Sequence, residues 1–288
     1  MELNSEIPSA PPRDAATVVM LRDAPQGLEV FLVKRHGLSD VLGGAYVFPG
    51  GKLDASDAQV DPAIHLDQDA QALHAALGEP HTDVRTAASL YVAAMREAFE
   101  ESRVLFTDDI DIARAALAKG ADLGFNDMLA NLGVRLHTRN VLPWSRWITP
   151  RMPSITNKRF DTRFFVAAVP ALQEARHDEY EATESAWLQP RTALTHYWNG
   201  QIELAPPQIM SLAHLARHPT VASVMDAARR RLPPLVLPES FDDAGTRVLC
   251  YPGDPAHSVA ERALPGVTRL RFQNKRFEPE NGFEALFE

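Results

Sequence analysis

The sequence predicts a fold of the α/β (α+β) class from two observations about strands and one about a helix. Apolar, β-branched residues run over 15–21 and 28–34, and Pro25 and Gly27 lie between the runs, which predicts an antiparallel hairpin. A further stretch, 158–169, has high strand propensity. Between the strands, residues 88–101 place apolar side chains at helical spacing, so this segment is predicted to be an amphipathic helix.

This predicted helix concentrates negative charge on one face. Glu97, Glu100 and Glu101 fall together because an α-helix turns by about 100° per residue, while Tyr91 and Met95 fall on the opposite, core-facing side. Like charges at this spacing destabilise a helix, and a divalent cation removes that penalty. Oxygen-only ligands suit Mg²⁺ or Mn²⁺. The alternative interpretation is a solvated acidic surface.

A second motif, Phe-Pro-Gly-Gly-Lys-Leu-Asp, occupies residues 48–54. Paired glycines after an apolar strand allow a tight turn and a close backbone approach to a ligand. A nucleotide-binding P-loop is excluded, because Tyr46 and Leu53 stand where a glycine and a hydroxyl side chain are required.

Taken together, the two motifs resemble the signature of the Nudix hydrolases. The matching positions are Gly51, Asp57, Arg96, Glu97, Ala98, Glu100, Glu101 and Val104. A spacer of 38 residues separates Asp57 from Arg96, so an insertion splits the signature, as in the acyl-CoA diphosphatase branch of the family. Arg103 replaces the glycine that closes the signature. An arginine is disfavoured at φ > 0, so we expect a shifted helix end with the acidic site retained.

The resemblance implies an α/β/α sandwich with a mixed β-sheet over residues 13–200, and a helical insertion at about 58–85. Within the insertion, residues 70–77 are predicted to form a helix bounded by Gly78 and Pro80. Residues 1–12 are expected to form a disordered tail without signal-peptide features. Residues 201–288 are expected to form a helical and strand extension packed on the same domain. In it, residues 206–231 are predicted to be helical, and residues 247–251 and 268–272 are predicted to be strands. For its part beyond 233 three roles stay open: covering the sheet, building a homodimer contact or shaping an acyl pocket.

The resemblance also implies a metal site and roles for individual residues. The adjacent Glu100 and Glu101 would be the principal ligands of Mg²⁺ or Mn²⁺, and Glu97 a third ligand or the general base. Gly51, or Gly50 beside it, would add a backbone carbonyl. Arg96 would hold a glutamate of the helix by a charge-assisted hydrogen bond.

One carboxylate outside the carboxylate helix is expected to complete the predicted metal site. Family members often add a carboxylate from elsewhere in the chain, and Glu184 is the first choice here, with Glu181 second. Asp57 is shorter than the glutamate of the signature and begins the insertion, so it is given no required role.

Clusters of positive charge mark the predicted substrate contacts. Lys34 and Arg35 end the strand that in Nudix folds leads towards the substrate cleft, although they equally fit a polar strand end. A second group is Arg146, Trp147, Arg159 and Arg163, in which arginines bind phosphate and the indole stacks on a base. The alternative for Trp147 is a place in the core.

Composition limits the classes of partner. The net charge of −9 argues against nucleic acid and anionic membrane surfaces, and no apolar run is long enough to span a bilayer. Cys250 is the single cysteine, which excludes an intramolecular disulfide and fits a reducing compartment. We therefore expect a cytoplasmic protein that acts on a small molecule.

The expected reaction is metal-dependent hydrolysis of a diphosphate linkage in a nucleoside-diphosphate-linked substrate. The split signature favours CoA or acyl-CoA, giving 3′,5′-ADP and a phosphopantetheine product. ADP-ribose, a nucleotide sugar or a dinucleotide is the alternative substrate. A catalytically silent nucleotide-binding module is the alternative of another class, which Asp57 and Arg103 keep open.

Overall fold

A computed structural model describes residues 10–37, 42–119, 123–152, 158–178 and 182–288. Eight of the described strands form one mixed sheet: β1 (Arg13–Ala24), β2 (Gly27–Arg35), β3 (Tyr46–Val47), β4 (Gly50–Lys52), β5 (Val141–Ile148), β6 (Phe160–Ala168), β7 (Ala182–Leu188) and β8 (Leu235–Val236). The strand order is β3-β2-β1-β6-β5-β8, with β4 paired to β1 and β7 paired to β2.

Strand β1 lies at the centre of this sheet and determines its layers. It pairs antiparallel with β2 and β4 and parallel with β6, so Ala16 stands between Gly51 on one side and Arg163 on the other. Val18 packs in one hydrophobic cluster and Val19 in another, because successive strand residues point to opposite faces. The sheet therefore has a core on each face, and the predicted mixed fold is confirmed.

Helices cover both faces of the sheet. They are α1 (Pro62–His65), α2 (Ala70–Leu77), α3 (Val84–Ser102), α4 (Ile110–Lys119), α5 (Phe125–Leu132), α6 (Pro190–Trp198), α7 (Pro206–Leu215) and α8 (Val221–Arg230). The carboxylate helix, α3, starts where the Asp83 side chain accepts from the backbone N–H of Thr86. Its apolar face packs in the first cluster, where Tyr91 meets Phe165 of β6 at 4.7 Å between ring centroids.

The end of α3 differs from our expectation. The helix is not shifted by Arg103, which itself takes the left-handed cap conformation with φ 61° and ψ 23°. Its backbone N–H bonds to the carbonyl of Phe99 at 2.9 Å, and its side chain bonds to Asp178. These contacts hold an arginine in a conformation that glycine adopts without strain.

The insertion folds as short helical pieces on the same side of the sheet as α3. It begins with a 3₁₀ turn at Asp57–Gln59, continues through α1 and α2, and leads into α3. Leu66, Leu73 and Leu77 anchor it in the first hydrophobic cluster. The predicted helix over Ala70–Leu77 is found with those bounds, because Asp69 caps its start and Gly78 closes its end at φ 66°.

The C-terminal segment, residues 201–288, contributes α7, α8 and a separate four-stranded antiparallel sheet. The predicted helix over 206–231 is divided into α7 and α8, because Pro219 interrupts it and the Thr220 side chain caps α8. The second sheet has the strands β9 (Glu239–Asp243), β10 (Thr246–Cys250), β11 (Arg269–Gln273) and β12 (Arg276–Glu278). Sequence patterns predicted only β10 and β11, since the outer strands are short and charged. Leu270 and Phe277 join the second hydrophobic cluster.

Two further observations concern the chain as a whole. Among the helices that the structure describes, none combines the length and apolar character needed to cross a membrane. Residues 1–9 of the predicted tail lie outside the described residues, as does Glu181.

Candidate active site

Helix α3 brings its acidic face onto the glycine corner at β4. The backbone N–H of Gly50 donates to Oε2 of Glu101 at 3.0 Å. A Cβ atom on Gly51 would come within 2.2 Å of Oε1 of Glu97, so only glycine leaves room for this carboxylate. Glu101 is buried, whereas 47% of the Glu100 side chain is exposed. The predicted meeting of the two motifs is thus present.

Arg96 connects these acids to the start of the insertion. Its guanidinium donates to both oxygens of Asp57, at 2.7 and 3.1 Å, to Glu97 at 2.8 Å and to Glu100 at 2.9 Å. Burial alone would lower the pKa of Arg96, but hydrogen bonding to Asp57 and the charges of the glutamates raise it overall. The arginine therefore stays charged and fixes the orientation of two glutamates.

Asp57 has a larger part than the sequence suggested. The sequence predicts no required role for Asp57, yet its side chain is fully buried and forms the ion pair with Arg96. It also accepts a hydrogen bond from the backbone N–H of Asp54 at 2.8 Å. Its place in the signature was the signal that could have identified it.

The chemistry of the donor set fits a hard divalent cation such as Mg²⁺ or Mn²⁺. Glu97, Glu100 and Glu101 offer oxygen atoms alone, beside a glycine backbone. Within the described ranges no three His, Cys, Asp or Glu side chains converge on one point as a ready metal cluster. In this structure the Arg96 guanidinium bridges Glu97 and Glu100.

The structure does not bring Glu184 to these acids. Glu184 lies on β7, opposite Lys34 of β2. Its carboxylate accepts a hydrogen bond from Nζ of Lys34 at 3.0 Å and another from the hydroxyl of Tyr46 at 2.7 Å. The Tyr46 ring packs in the second hydrophobic cluster, on the sheet face opposite α3. The hydrogen bond from Tyr46 and the ammonium group of Lys34 lower the pKa of Glu184. Burial, together with the hydrogen bond to Glu184, raises the pKa of Tyr46 to about 12.

Two of the predicted phosphate-binding arginines are paired with carboxylates of the protein itself. Arg163 is 3% exposed and binds both oxygens of Glu79, at 3.0 and 2.7 Å, as well as Asp14. Arg146 forms a two-point contact with Asp161 at 2.8 and 2.6 Å and reaches Glu79 at 3.1 Å. Because Arg163 is buried and carboxylates occupy its guanidinium group, the prediction that it contacts substrate is wrong, whereas for the partly exposed Arg146 this contact stays a prediction. Glu79, from the insertion, carried no sequence signal of this role.

The remaining members of the second group are structural as well. Trp147 is buried, donates from Nε1 to the Ser145 hydroxyl at 3.1 Å and packs edge-on to Tyr251. The core alternative for this tryptophan is therefore correct, and base stacking by it is not. Arg159 donates hydrogen bonds to the carbonyl oxygens of Thr149 and Pro150. These bonds link the residue before β6 to the residues that follow β5.

The cations at the end of β2 are placed differently. Lys34 forms a partly exposed ion pair with Glu184. The Arg35 backbone N–H bonds to the carbonyl of Ala45, while its Nε is buried and has no hydrogen-bond partner among the described residues. Lys34 shares with Glu184 the sheet face opposite α3, so the structure does not bring it to the acids of that helix, and a substrate contact by Lys34 or Arg35 stays a prediction.

Comparison with known proteins agrees with this geometry. A model of the NUDT19 Nudix domain matches residues 11–215. The acyl-coenzyme A diphosphatase NUDT19 of Xenopus laevis is 27% identical over 225 residues, covering 65% of this chain and 59% of that protein. The human protein of the same name is 25% identical, covering 69% of this chain and 63% of its own length.

A solved structure supports the same assignment. The NUDIX hydrolase from Alicyclobacillus acidocaldarius superposes with a TM-score of 0.61 at 27% identity, covering 78% of this chain and 98% of that one. The family match spans the glycine corner, the insertion and the carboxylate helix, which are the parts that form the site. The chain therefore belongs to the NUDT19 Nudix domain family.

Proposed function

We propose that this protein hydrolyses the diphosphate linkage of a nucleoside-diphosphate-linked substrate. The contact between Gly50–Gly51 and the acidic face of α3 is the observation that carries the proposal. CoA or acyl-CoA is the favoured substrate, giving 3′,5′-ADP and a phosphopantetheine product. The names of the frog and human relatives support this choice over ADP-ribose, a nucleotide sugar or a dinucleotide.

Glu97, Glu100 and Glu101 would hold the Mg²⁺ or Mn²⁺, together with the backbone carbonyl of Gly51. When bound, a divalent ion neutralises phosphoryl charge and lowers the pKa of a water molecule. The carboxylate of Glu100 is partly exposed and therefore accessible from solvent. The carboxylate of Glu101 is held by the hydrogen bond from the backbone N–H of Gly50.

The protein's own residues would orient the reacting groups. Arg96 restrains the carboxylates of Glu97 and Glu100, so both enter the reaction without a search among rotamers. Glu97, whose carboxylate lies beside the glycine backbone at the corner, would serve either as the third metal ligand or as the general base.

Binding of an anionic substrate also needs positive charge in an acidic protein. Lys34 and Arg35 are proposed to supply it. The pair between Lys34 and Glu184 is partly exposed, and such surface pairs contribute at most about 1 kcal/mol, so a phosphate can take the place of the glutamate. A cytoplasmic location, a homodimer and the absence of nucleic-acid binding stay predictions.

The proposal is tested by assaying the purified protein with Mg²⁺ or Mn²⁺ against CoA, acyl-CoAs, ADP-ribose, nucleotide sugars and dinucleotides. We expect cleavage of CoA or acyl-CoA, loss of turnover with a chelator, and its return with added metal. Glu100→Gln and Glu101→Gln should each lower kcat/KM by at least about a hundredfold. Glu284→Gln, which alters an exposed ion pair with Arg191, is the matched control and should keep full turnover.

Full turnover in both site variants would overturn the assignment of these acids. If no compound is cleaved but one of them raises the Tm of the protein, the silent nucleotide-binding module is the correct reading.

A further inference from the structure

The chain segment 174–178, which lies before β7, closes the end of the carboxylate helix. The last four carbonyl groups of an α-helix have no partner within the helix. In α3 two of them accept hydrogen bonds from this segment. The backbone N–H of Arg176 donates to the carbonyl of Ser102 at 3.0 Å, and that of Asp178 donates to the carbonyl of Glu101 at 3.1 Å. The backbone of a candidate metal ligand is therefore held by a part of the chain that is distant in sequence.

Glu101 is thereby held at both of its ends. At the glycine corner its carboxylate accepts the hydrogen bond from the backbone N–H of Gly50 at 3.0 Å. At the end of the helix its carbonyl accepts the hydrogen bond from Asp178. Because the residue is buried, its side chain has little room to compensate for a movement of the backbone. A shift of the last turn of α3 would therefore carry this carboxylate away from the corner.

An ion pair adds a third contact between the helix and this segment. Arg103 follows the last residue of α3, and its guanidinium donates to the carboxylate of Asp178 at 2.9 Å. The Asp178 side chain is 15% exposed and that of Arg103 is 39% exposed. Asp178 thus gives its backbone N–H to Glu101 and its carboxylate to Arg103, so one residue couples the ion pair to the metal-ligand candidate.

The backbone conformation of Arg103 shows what its side chain is for. At φ 61° and ψ 23° a glycine would end the helix without strain, so the cap itself does not require an arginine. The contact with Asp178 is what glycine could not supply. Ion pairs with a partly exposed partner contribute little to stability, so the pair does not account for this strained residue by stability alone. A gain in the placement of Glu101 does account for it.

We propose that Arg103 and Asp178 are positioning residues of the metal site. Their ion pair holds the segment 174–178 against the end of α3 and so keeps the Glu101 carboxylate at the glycine corner. The proposal rests on the proposed function, because it takes Glu101 as a ligand of Mg²⁺ or Mn²⁺. Replacing a residue that orients a metal ligand typically costs about 10–100-fold in metal affinity or activity.

The test measures the binding of Mn²⁺ by calorimetry, without substrate, to Arg103→Gly and to Asp178→Asn. Positioning predicts that each variant binds Mn²⁺ about tenfold more weakly than the wild type. The charges alone predict opposite signs, because loss of a cation favours Mn²⁺ binding and loss of an anion disfavours it. The double variant should bind Mn²⁺ about as weakly as either single variant, since both substitutions remove the same contact.

A pair with a merely structural role would change stability and leave the Mn²⁺ affinity unchanged. Arg103→Gly loses the ion pair but relieves the backbone, so its Tm should stay within about 3 °C of the wild type. Arg176→Gln is the matched control. It removes the same charge from the neighbouring segment by breaking an exposed pair with Glu174, and it keeps the backbone N–H that bonds to Ser102. This variant should bind Mn²⁺ as the wild type does.

Mn²⁺ binding by Arg103→Gly that is unchanged or tighter would overturn the proposal. A wild-type protein that neither binds Mn²⁺ nor cleaves a diphosphate would instead refute the proposed function. Hydrogen exchange of the Gly50 amide then decides whether the pair positions Glu101, because this N–H donates to the Glu101 carboxylate. Exchange about tenfold faster in both variants, with the amides in the middle of α3 unchanged, would support the positioning role, and unchanged exchange of Gly50 would overturn it.

Discussion

Gly50 and Gly51 are adjacent, but each is required for a different reason. A Cβ on Gly51 would meet the carboxylate of Glu97, the mobile end of a side chain. A Cβ on Gly50 would meet the carbonyl oxygen of Ala16 at 2.6 Å and the Cα of Thr17 at 2.7 Å, which are backbone atoms of β1. Gly50 is therefore required for the close approach of the backbone to β1, and Gly51 is required for the position of the Glu97 carboxylate.

We predict that Gly51→Ala lowers kcat by about a hundredfold, because it displaces the Glu97 carboxylate, and changes the free energy of unfolding by no more than about 1 kcal/mol. Gly50→Ala should cost about 1–3 kcal/mol of unfolding free energy, because backbone must move. Steady-state kinetics and urea titration of both variants measure these effects. A stability loss in Gly51→Ala equal to that in Gly50→Ala would contradict the distinction.

Residue types and spacing were enough to predict which acids approach the glycine corner. Glu97, Glu100 and Glu101 share a helix face by local geometry alone, and the signature fixes their partner. The fate of Arg163 could not be predicted, because its partner Glu79 is 84 positions away. The local sequence around a buried arginine does not differ from that around a phosphate-binding arginine, and only tertiary contacts distinguish the two.

At the scale of elements, Arg96 joins α3 to the first turn of the insertion. The Arg96 side chain is 11% exposed and that of Asp57 is 0% exposed. Replacing one partner of such a pair leaves an uncompensated buried charge. We predict that Arg96→Met lowers the free energy of unfolding by about 3–5 kcal/mol, measured by urea titration.

Asp57→Asn provides the comparison for this prediction. It removes the buried negative charge, while Arg96 keeps Glu97 and Glu100 as partners. The cost should therefore be smaller, about 1–2 kcal/mol. A loss below 1 kcal/mol in Arg96→Met would show that the insertion is held mainly by its leucines.

Helix ends were predicted correctly where nearby residues mark them and incorrectly where a distant contact determines them. The insertion helix was predicted with correct bounds because Gly78 and Pro80 mark its end, and the structure adds that Asp69 caps its start. The end of α3 was not, because Arg103 holds a glycine-type conformation through Asp178, a contact with a distant residue. Local propensity cannot reveal such a contact.

For the whole molecule, Glu79 links the insertion to the central sheet and should make stability depend on pH. Burial alone would raise the pKa of Glu79, but hydrogen bonds from Arg163 and Thr82 and the nearby charges bring it below its usual value of 4.5. The unfolded state therefore binds protons more readily, so the stabilisation is complete above that value and is lost as the pH falls through the folded-state pKa.

We predict that Glu79→Gln lowers the free energy of unfolding by roughly 2–3 kcal/mol near neutral pH. The difference from the wild type should shrink as the solution is acidified below the usual pKa of glutamate. Urea titrations over a pH series measure it. Glu284→Gln, in an exposed pair, is the control and should change stability by less than about 0.5 kcal/mol. A difference that is constant with pH would contradict the assignment to this carboxylate.

The overall architecture was predictable in its centre and less so at its edge. Long apolar strands such as β1 and β6 carry strong periodic signals and form the mixed sheet. The C-terminal sheet has strands as short as Arg276–Glu278, whose side chains reach the core only after the chain has folded back. Such strands have no local pattern that separates them from loops.

The alternation of β1 between two hydrophobic clusters has a consequence for how this gene can change. Removal of a single codon within Ala16–Leu21 would turn every later side chain of the strand through half a revolution, exchanging the contents of the two interiors. If the deleted codon is that of Ala16, Thr17 would take its place opposite Gly51. We expect natural variants to keep the length of this strand constant while substituting freely among aliphatic residues of similar volume.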